Sequence, residues 1–141
     1  MKSIDEINDY LAISELKARY CRLMDSKDWA GYRELFTEDY ELDVAQAGGV
    51  EVIRGRDDAL QMVLSHIEHA VTVHQVHSPE IQINDDRATG VWAMQDRVLF
   101  ADGPKITGYG HYTDRYVRRN GEWLISASKL TRLHIDVDPS T

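Results

Sequence analysis

Two stretches of this sequence carry residues that could do acid–base chemistry. Tyr20-Cys21-Arg22-Leu23-Met24-Asp25-Ser26-Lys27-Asp28-Trp29 ends a helical pattern on a carboxylate, and Val73-His74-Gln75-Val76-His77 places a histidine within a strand-like segment. The helix dipole disfavours a negative charge at that end, so Asp25 stands against the local preference. An aspartate behind a histidine fixes the imidazole tautomer and raises its basicity, which makes a general base that works near neutral pH. Taken alone, Asp25 fits a cap of the next helix equally well. A lone strand histidine is ordinarily a surface or core residue. The pairing of the two is what points to chemistry. His77, on the opposite strand parity from His74, is the rival for the same role.

Other reactive side chains read more plainly. His66 and His69 flank Glu68 on a helical segment, but no third ligand is fixed by spacing, so an exposed helix face is expected and no metal. Cys21 shares the inward face of Asp25 and has no evident basic neighbour to activate it, so it reads as a small buried hydrophobe. Trp92, Met94 and Asp96 share one strand parity, facing the interior; periodicity does not separate core from pocket wall. There is no Gly-rich phosphate loop and no dinucleotide pattern, so no cofactor is expected.

The elements that must position these residues follow from periodicity. Ile4, Ile7 and Leu11, then Ile13, Leu16, Tyr20 and Leu23, recur at helical spacing. Asp28 can cap a short second helix carrying Trp29, Tyr32, Leu35 and Phe36. A weak strand at Tyr40 to Val44 leads to a Gly48-Gly49 turn, and Arg56 to His69 forms a third helix. Long strands follow: Val71 to Ile83, interrupted at Ser78-Pro79, then Ala88 to Phe100, Lys105 to Arg118, and Trp123 to about Ile135. Asn84-Asp85-Asp86-Arg87, Ala101-Asp102-Gly103-Pro104 and Asn120-Gly121 are the turns between them. Arg118-Arg119 beside the last hairpin reads as a solvated charge pair. Gly108 and Gly110 suggest sharp curvature or a close approach. Helices first and hairpin-linked strands afterwards mean α+β. The geometry expected is a strongly curved antiparallel sheet around the N-terminal helices, enclosing a cone-shaped pocket.

Bulk properties narrow the partners. The 141 residues are expected to form a single domain, 1–141, with a loose C-terminal tail from about residue 136. A net charge of −8 argues against nucleic acid or an anionic membrane. One cysteine, no apolar leader and no apolar run long enough to span a bilayer give the expectation of a cytoplasmic protein.

Several motifs together resemble the NTF2-like superfamily and its SnoaL-like branch, which includes scytalone dehydratase, bile-acid 7α-dehydratase and hexachlorocyclohexane dehydrochlorinase. They are Arg19-Tyr20 with Asp25, Asp25-Ser26-Lys27-Asp28-Trp29, Leu35-Phe36-Thr37-Glu38-Asp39, Gly55-Arg56, Thr72-Val73-His74, and Gly110-His111-Tyr112-Thr113-Asp114-Arg115-Tyr116 running into Asn120-Gly121-Glu122-Trp123. The resemblance implies the cone fold and places base chemistry on His74 oriented by Asp25. Tyr20 would donate a hydrogen bond to a substrate oxygen or leaving group. Tyr112, Ser128, Leu130 and Arg132 fall where relatives line the pocket, and Cys21, Met24, Leu42, Trp92 and Met94 complete the expected lining. The chain lacks the second sheet histidine or asparagine of the dehydratases, since His111 has the opposite parity from Tyr112. Ser128 stands where the dehydrochlorinase carries an arginine, so halide elimination is not implied. The implied activity is a lyase or isomerase acting on a small hydrophobic, oxygenated cyclic molecule, with dehydration ahead of cyclisation or double-bond migration. Alternatives are a carrier of a polyketide, steroid or terpenoid, or a structural dimerisation module. A homo-oligomer, trimer or dimer, is expected. A lyase requires Asp25 and His74 in hydrogen-bond contact; a carrier does not.

Overall fold

The computed structural model describes residues 1–47 and 52–139; the expected Gly48-Gly49 turn lies outside them. Helix α1, Ile4–Asp25, begins with a capping box in which Ser3 and Glu6 satisfy each other's backbone N–H groups. It ends in a Schellman turn: Asp28 N–H donates to the Leu23 carbonyl at 2.9 Å and Lys27 N–H to that of Met24 at 3.2 Å. Asp28 then caps α2, Trp29–Arg33, accepting from Gly31 N–H at 3.0 Å. The C-cap of α1, Ser26, and the N-cap of α2, Asp28, are separated only by Lys27, so the end of α1 is locked from both sides.

Strands β1 (Phe36–Asp43) and β2 (Ile53–Arg54), helix α3 (Arg56–Ile67), and strands β3 (Ala70–Asn84), β4 (Arg87–Phe100), β5 (Lys105–Arg119) and β6 (Glu122–Asp138) complete the order, with a 3₁₀ turn at Ala45–Ala47. The sheet runs β2-β1-β6-β5-β4-β3. The last four strands form the expected antiparallel meander. The β1–β6 pair, however, is parallel: β1 is joined to the meander through α3 and arrives beside β6 instead of continuing a hairpin. The 3₁₀ turn and β2 were not anticipated. β6 stays paired with β5 as far as Asp138, so residues 136–138 are strand. Asn120 and Gly121 have φ of 52° and 78°, as a two-residue hairpin requires. At Ser78-Pro79 the β3–β4 register shifts, and Ser78 takes a φ of 50°.

The core lies between the second half of α1 and the inner sheet face. Tyr20, Tyr32, Phe36 and Tyr40 form a chain of ring contacts, with Tyr112 edge-on to Tyr20 at 5.6 Å between centroids. These rings fill the cone at this level, where open volume was expected. Ile4, Ile7 and Leu11, although helically spaced, are exposed, while Tyr10 and Ile13 of the same helix pack on the core. Arg118 is no solvated charge. It donates to Asp9 at 2.6 Å and Asp86 at 2.9 Å and lies 4.8 Å over the Trp123 ring, tying the start of α1 to two hairpins. Among the described residues no helix is long and apolar enough to cross a membrane.

Candidate active site

Asp25 is the last residue of α1, and β3 is an edge strand whose outer backbone groups have no strand partner. The carboxylate covers that edge. Its Oδ2 accepts the His74 backbone N–H at 2.7 Å, and its Oδ1 accepts from His74 Nδ1 at 2.7 Å and from the Thr72 hydroxyl at 3.0 Å. One side chain thus grips both backbone and ring of the same residue. With Nδ1–H committed to Asp25, the lone pair of the neutral ring sits on Nε2. The His74 side chain is 7% exposed.

Nε2 points across the inner face to β4 and β6. Asp96, directly opposite His74 in the β3–β4 register, has an oxygen 3.8 Å from it, beyond hydrogen-bond range. Both Asp96 oxygens are instead held by the fork of Arg132, at 2.6 and 2.9 Å. Such a bidentate pair is among the stronger charge-assisted contacts and neutralises the aspartate. Burial works against the Arg132 charge, but the bonds to Asp96 outweigh it and hold the guanidinium above its usual pKa. The third edge donor, Arg132 Nε, is buried without a partner among the described residues. Gly108 explains how the pair fits: a Cβ there would overlap the Arg132 guanidinium and the Asp96 carboxylate. Gly110 has a separate reason, the close approach of the Thr131 carbonyl at the β5–β6 irregularity. Gly108→Ala is expected to lower stability by about 1–3 kcal/mol through overpacking. Urea denaturation would read this; an unchanged midpoint would mean the ion pair is not so confined.

The fold agrees with that of other chains. The profile of the SnoaL-like domain family matches residues 5–129. The chain belongs to the SnoaL-like family. The SnoaL-like fold is shared with Rv3472 of Mycobacterium tuberculosis, a protein of unknown function, at 29% identity and a TM-score of 0.79, covering 94% of this chain and 76% of that one. A candidate scytalone dehydratase from Novosphingobium aromaticivorans superposes at a TM-score of 0.83 with 19% identity, covering 92% and 87%. Hexachlorocyclohexane dehydrochlorinase LinA-type3 from Novosphingobium barchaimii does so at 0.83 with 18% identity, covering 96% and 94%. The last two likenesses speak to fold alone.

Within this SnoaL-like fold the anticipated residues separate into two levels. Asp25, His74, Met94 and Arg132 meet at the end of α1, with Arg132 Nη1 3.7 Å from the Met94 sulfur. Tyr20, Tyr112, Trp92, Leu42, Leu130 and Ser128 are buried deeper, with Tyr112 paired to Trp92 and Leu130, and Ser128 paired to Leu42. Met24 receives the Tyr32 hydroxyl at 3.8 Å. Burial raises Cys21 to about 11, a shift only partly opposed by Lys17, so at neutral pH it is a thiol. Tyr20 and Tyr112 are pushed well above the usual phenol value, chiefly by burial, and act only as neutral donors. His77 is exposed beside Ser78, and His111 pairs with Ala93 and Thr131 on the outer face. Neither approaches the dyad.

A buried ion pair was missed. Lys17 Nζ lies 2.8 Å from Asp114 with both side chains fully buried, and stands 3.8 and 4.0 Å over the rings of Tyr20 and Tyr112. Asp114 also accepts the Tyr116 hydroxyl at 2.8 Å, and that hydroxyl accepts from Trp92 Nε1 at 3.0 Å. The signal was present: Lys17 shares the buried helical stripe of Ile13, Leu16 and Tyr20, and Asp114 shares the inward parity of Tyr112 and Tyr116.

A groove of about 640 Å³ lies elsewhere, on the outer sheet face among Gln82, Arg87, Arg115 and Arg119. Near the dyad the inner face continues past the end of α1. In register with Thr72 and His74 it presents Val98, Ile106, Ile135 and Val137, the last two 40% and 58% exposed. This apolar shelf was not anticipated.

Proposed function

We propose that this protein is a cofactor-independent lyase or isomerase, most simply a dehydratase, for a small hydrophobic cyclic molecule bearing a ketone and a hydroxyl group. The observation that carries the reading is the 2.7 Å contact between Asp25 and His74 Nδ1, within the range a working base requires. A carrier of hydrophobic ligands has no use for a carboxylate and an imidazole held in that contact.

His74 Nε2 takes a proton from the carbon next to the carbonyl, and the Asp25 charge stabilises the imidazolium that forms. The electron pair of the broken C–H bond passes onto the carbonyl oxygen. Arg132, whose Nε–H is unpartnered, supplies the donor for that oxygen, as Tyr20 would if substrate reaches its level. The pair then returns to form the C=C bond as the hydroxyl leaves. Nε2–H supplies the proton that makes it water, restoring the neutral ring. By holding the Arg132 fork, Asp96 fixes the orientation of the guanidinium and of its free Nε–H. The shelf of Val98, Ile106, Ile135 and Val137 supplies the apolar contact that a ring substrate needs. The chain acts as a homo-oligomer in this reading, with Val71 and Val73 on the outer sheet face, 63% and 44% exposed, available for burial.

The test is a panel of cyclic β-hydroxyketones incubated with the protein, with the conjugated enone followed by its ultraviolet absorbance. Enone formation with at least one member is expected, with His74→Gln slower on it by about 10²–10⁴-fold. Ligand binding without turnover across the panel would favour the carrier.

A further inference from the structure

We propose that Lys27 is a positioning residue of the dyad: acting through Thr72, it holds the Asp25 carboxylate in place and offsets its charge beside His74. This rests on the reading of Asp25 and His74 as the base. The first observation is backbone conformation. Lys27 occupies the left-handed position of the Schellman turn, with φ of 62°. Glycine is the usual residue there because a Cβ is unfavourable at that φ. A lysine at this place therefore needs a reason in its side chain.

That reason is a directed chain of hydrogen bonds. Lys27 Nζ donates to the Thr72 hydroxyl at 2.7 Å, and that hydroxyl donates to Asp25 Oδ1 at 3.0 Å. An ammonium can only donate, so it occupies an acceptor site on Thr72 and turns the hydroxyl proton toward Asp25. The oxygen that takes this proton is the one bonded to His74 Nδ1. Thr72 is buried at 4% exposure, so water does not substitute freely for the lysine. Burial lowers the Lys27 ammonium below its usual pKa, and Asp25 opposes that shift.

The charged groups around the His74 ring are Asp25 at the end of α1, Asp96 from β4, and Arg132 through Asp96 from β6; Lys27, in the turn after α1, reaches it through Thr72 and Asp25. Cys21 beside Asp25 and Tyr112 beside Asp96 have raised pKa values and are neutral. Asp96 and Arg132 cancel, which leaves Lys27 as the cation that offsets Asp25. Removing it leaves the Asp25 charge less compensated and the Thr72 hydroxyl no longer turned toward it by the ammonium. The lost compensation favours the protonated ring, so the His74 midpoint must rise.

The experiment follows the His74 ring signals against pH by NMR in Lys27→Met, Lys27→Gly and Lys27→Arg, with thermal melts of each. A rise of about half a pH unit is expected for the Met and Gly variants, with Arg close to wild type. Lys27→Gly, relieved of its backbone conformation, should melt at or above the Met variant. A purely structural lysine would move melting without moving the midpoint. A midpoint at or below the wild-type value in both the Met and Gly variants overturns the proposal. The titration needs no substrate, so an absence of turnover would count against the lyase reading and not against this one.

Discussion

Lys17→Met is expected to destabilise the protein by about 3–5 kcal/mol, because it leaves the Asp114 carboxylate buried without its cation. For a chain of this size that corresponds to roughly 10 °C or more in melting temperature. Lys17 and Asp114 are both inaccessible to solvent, and the ammonium rests against two aromatic faces. Water therefore cannot restore what the substitution removes. The second half of the cycle separates the pair from its surroundings. Asp114→Asn keeps an acceptor for the Tyr116 hydroxyl while removing the charge. Lys17→Met with Asp114→Asn should accordingly be more stable than either single variant, since neither partner is left charged and alone. Chemical denaturation of the four proteins decides it. A cost below about 1 kcal/mol for Lys17→Met would mean that the pair does not hold α1 to β5.

The second large effect concerns rate. In the elimination proposed above, His74→Gln should lower turnover by about 10²–10⁴-fold, the usual contribution of a positioned base. Folding should be little changed, because the substitution keeps the backbone N–H bonded to Asp25. Asp25→Asn should be nearly as damaging. The carboxylate accepts three hydrogen bonds, from the His74 backbone, its ring and Thr72. An asparagine amide must therefore present N–H₂ to a donor in either orientation. If it faces the ring, it stabilises the wrong tautomer and removes the lone pair from Nε2. The double variant should be no slower than His74→Gln, since the residues act as a unit. Multiplying losses, read by steady-state kinetics, would show instead that they act separately.

Much of this arrangement was legible because it depends on local rules. Alternation along the strands put His74, Met94 and Arg132 on one face, and the Asp28 cap with the Asn120-Gly121 hairpin fixed where elements begin and end. What escaped the sequence is long-range. Nothing near Lys17 names residue 114 as its partner, and a lysine among apolar helix positions ordinarily snorkels to solvent. Arg118 reads as exposed until Asp9 arrives from the far end of the chain. The parallel β1–β6 pair depends on the path through α3, and the exposure of Ile4, Ile7 and Leu11 on which residues of α1 pack on the core. Periodicity also could not tell an open cavity from a packed one. The aromatic rings of Tyr20, Tyr32, Phe36 and Tyr40 close the deeper level, and the apolar surface next to the dyad comes from strand ends beyond α1.

The central claim is that the Asp25 carboxylate governs the charge of His74, and its direct test is the His74 ring titration in wild type and Asp25→Asn. Removing a negative charge in contact with Nδ1 should lower the titration midpoint by about one pH unit or more. An unchanged midpoint would contradict the account: Asp25 would then be a cap on the edge of β3, and the protein a binder without a base.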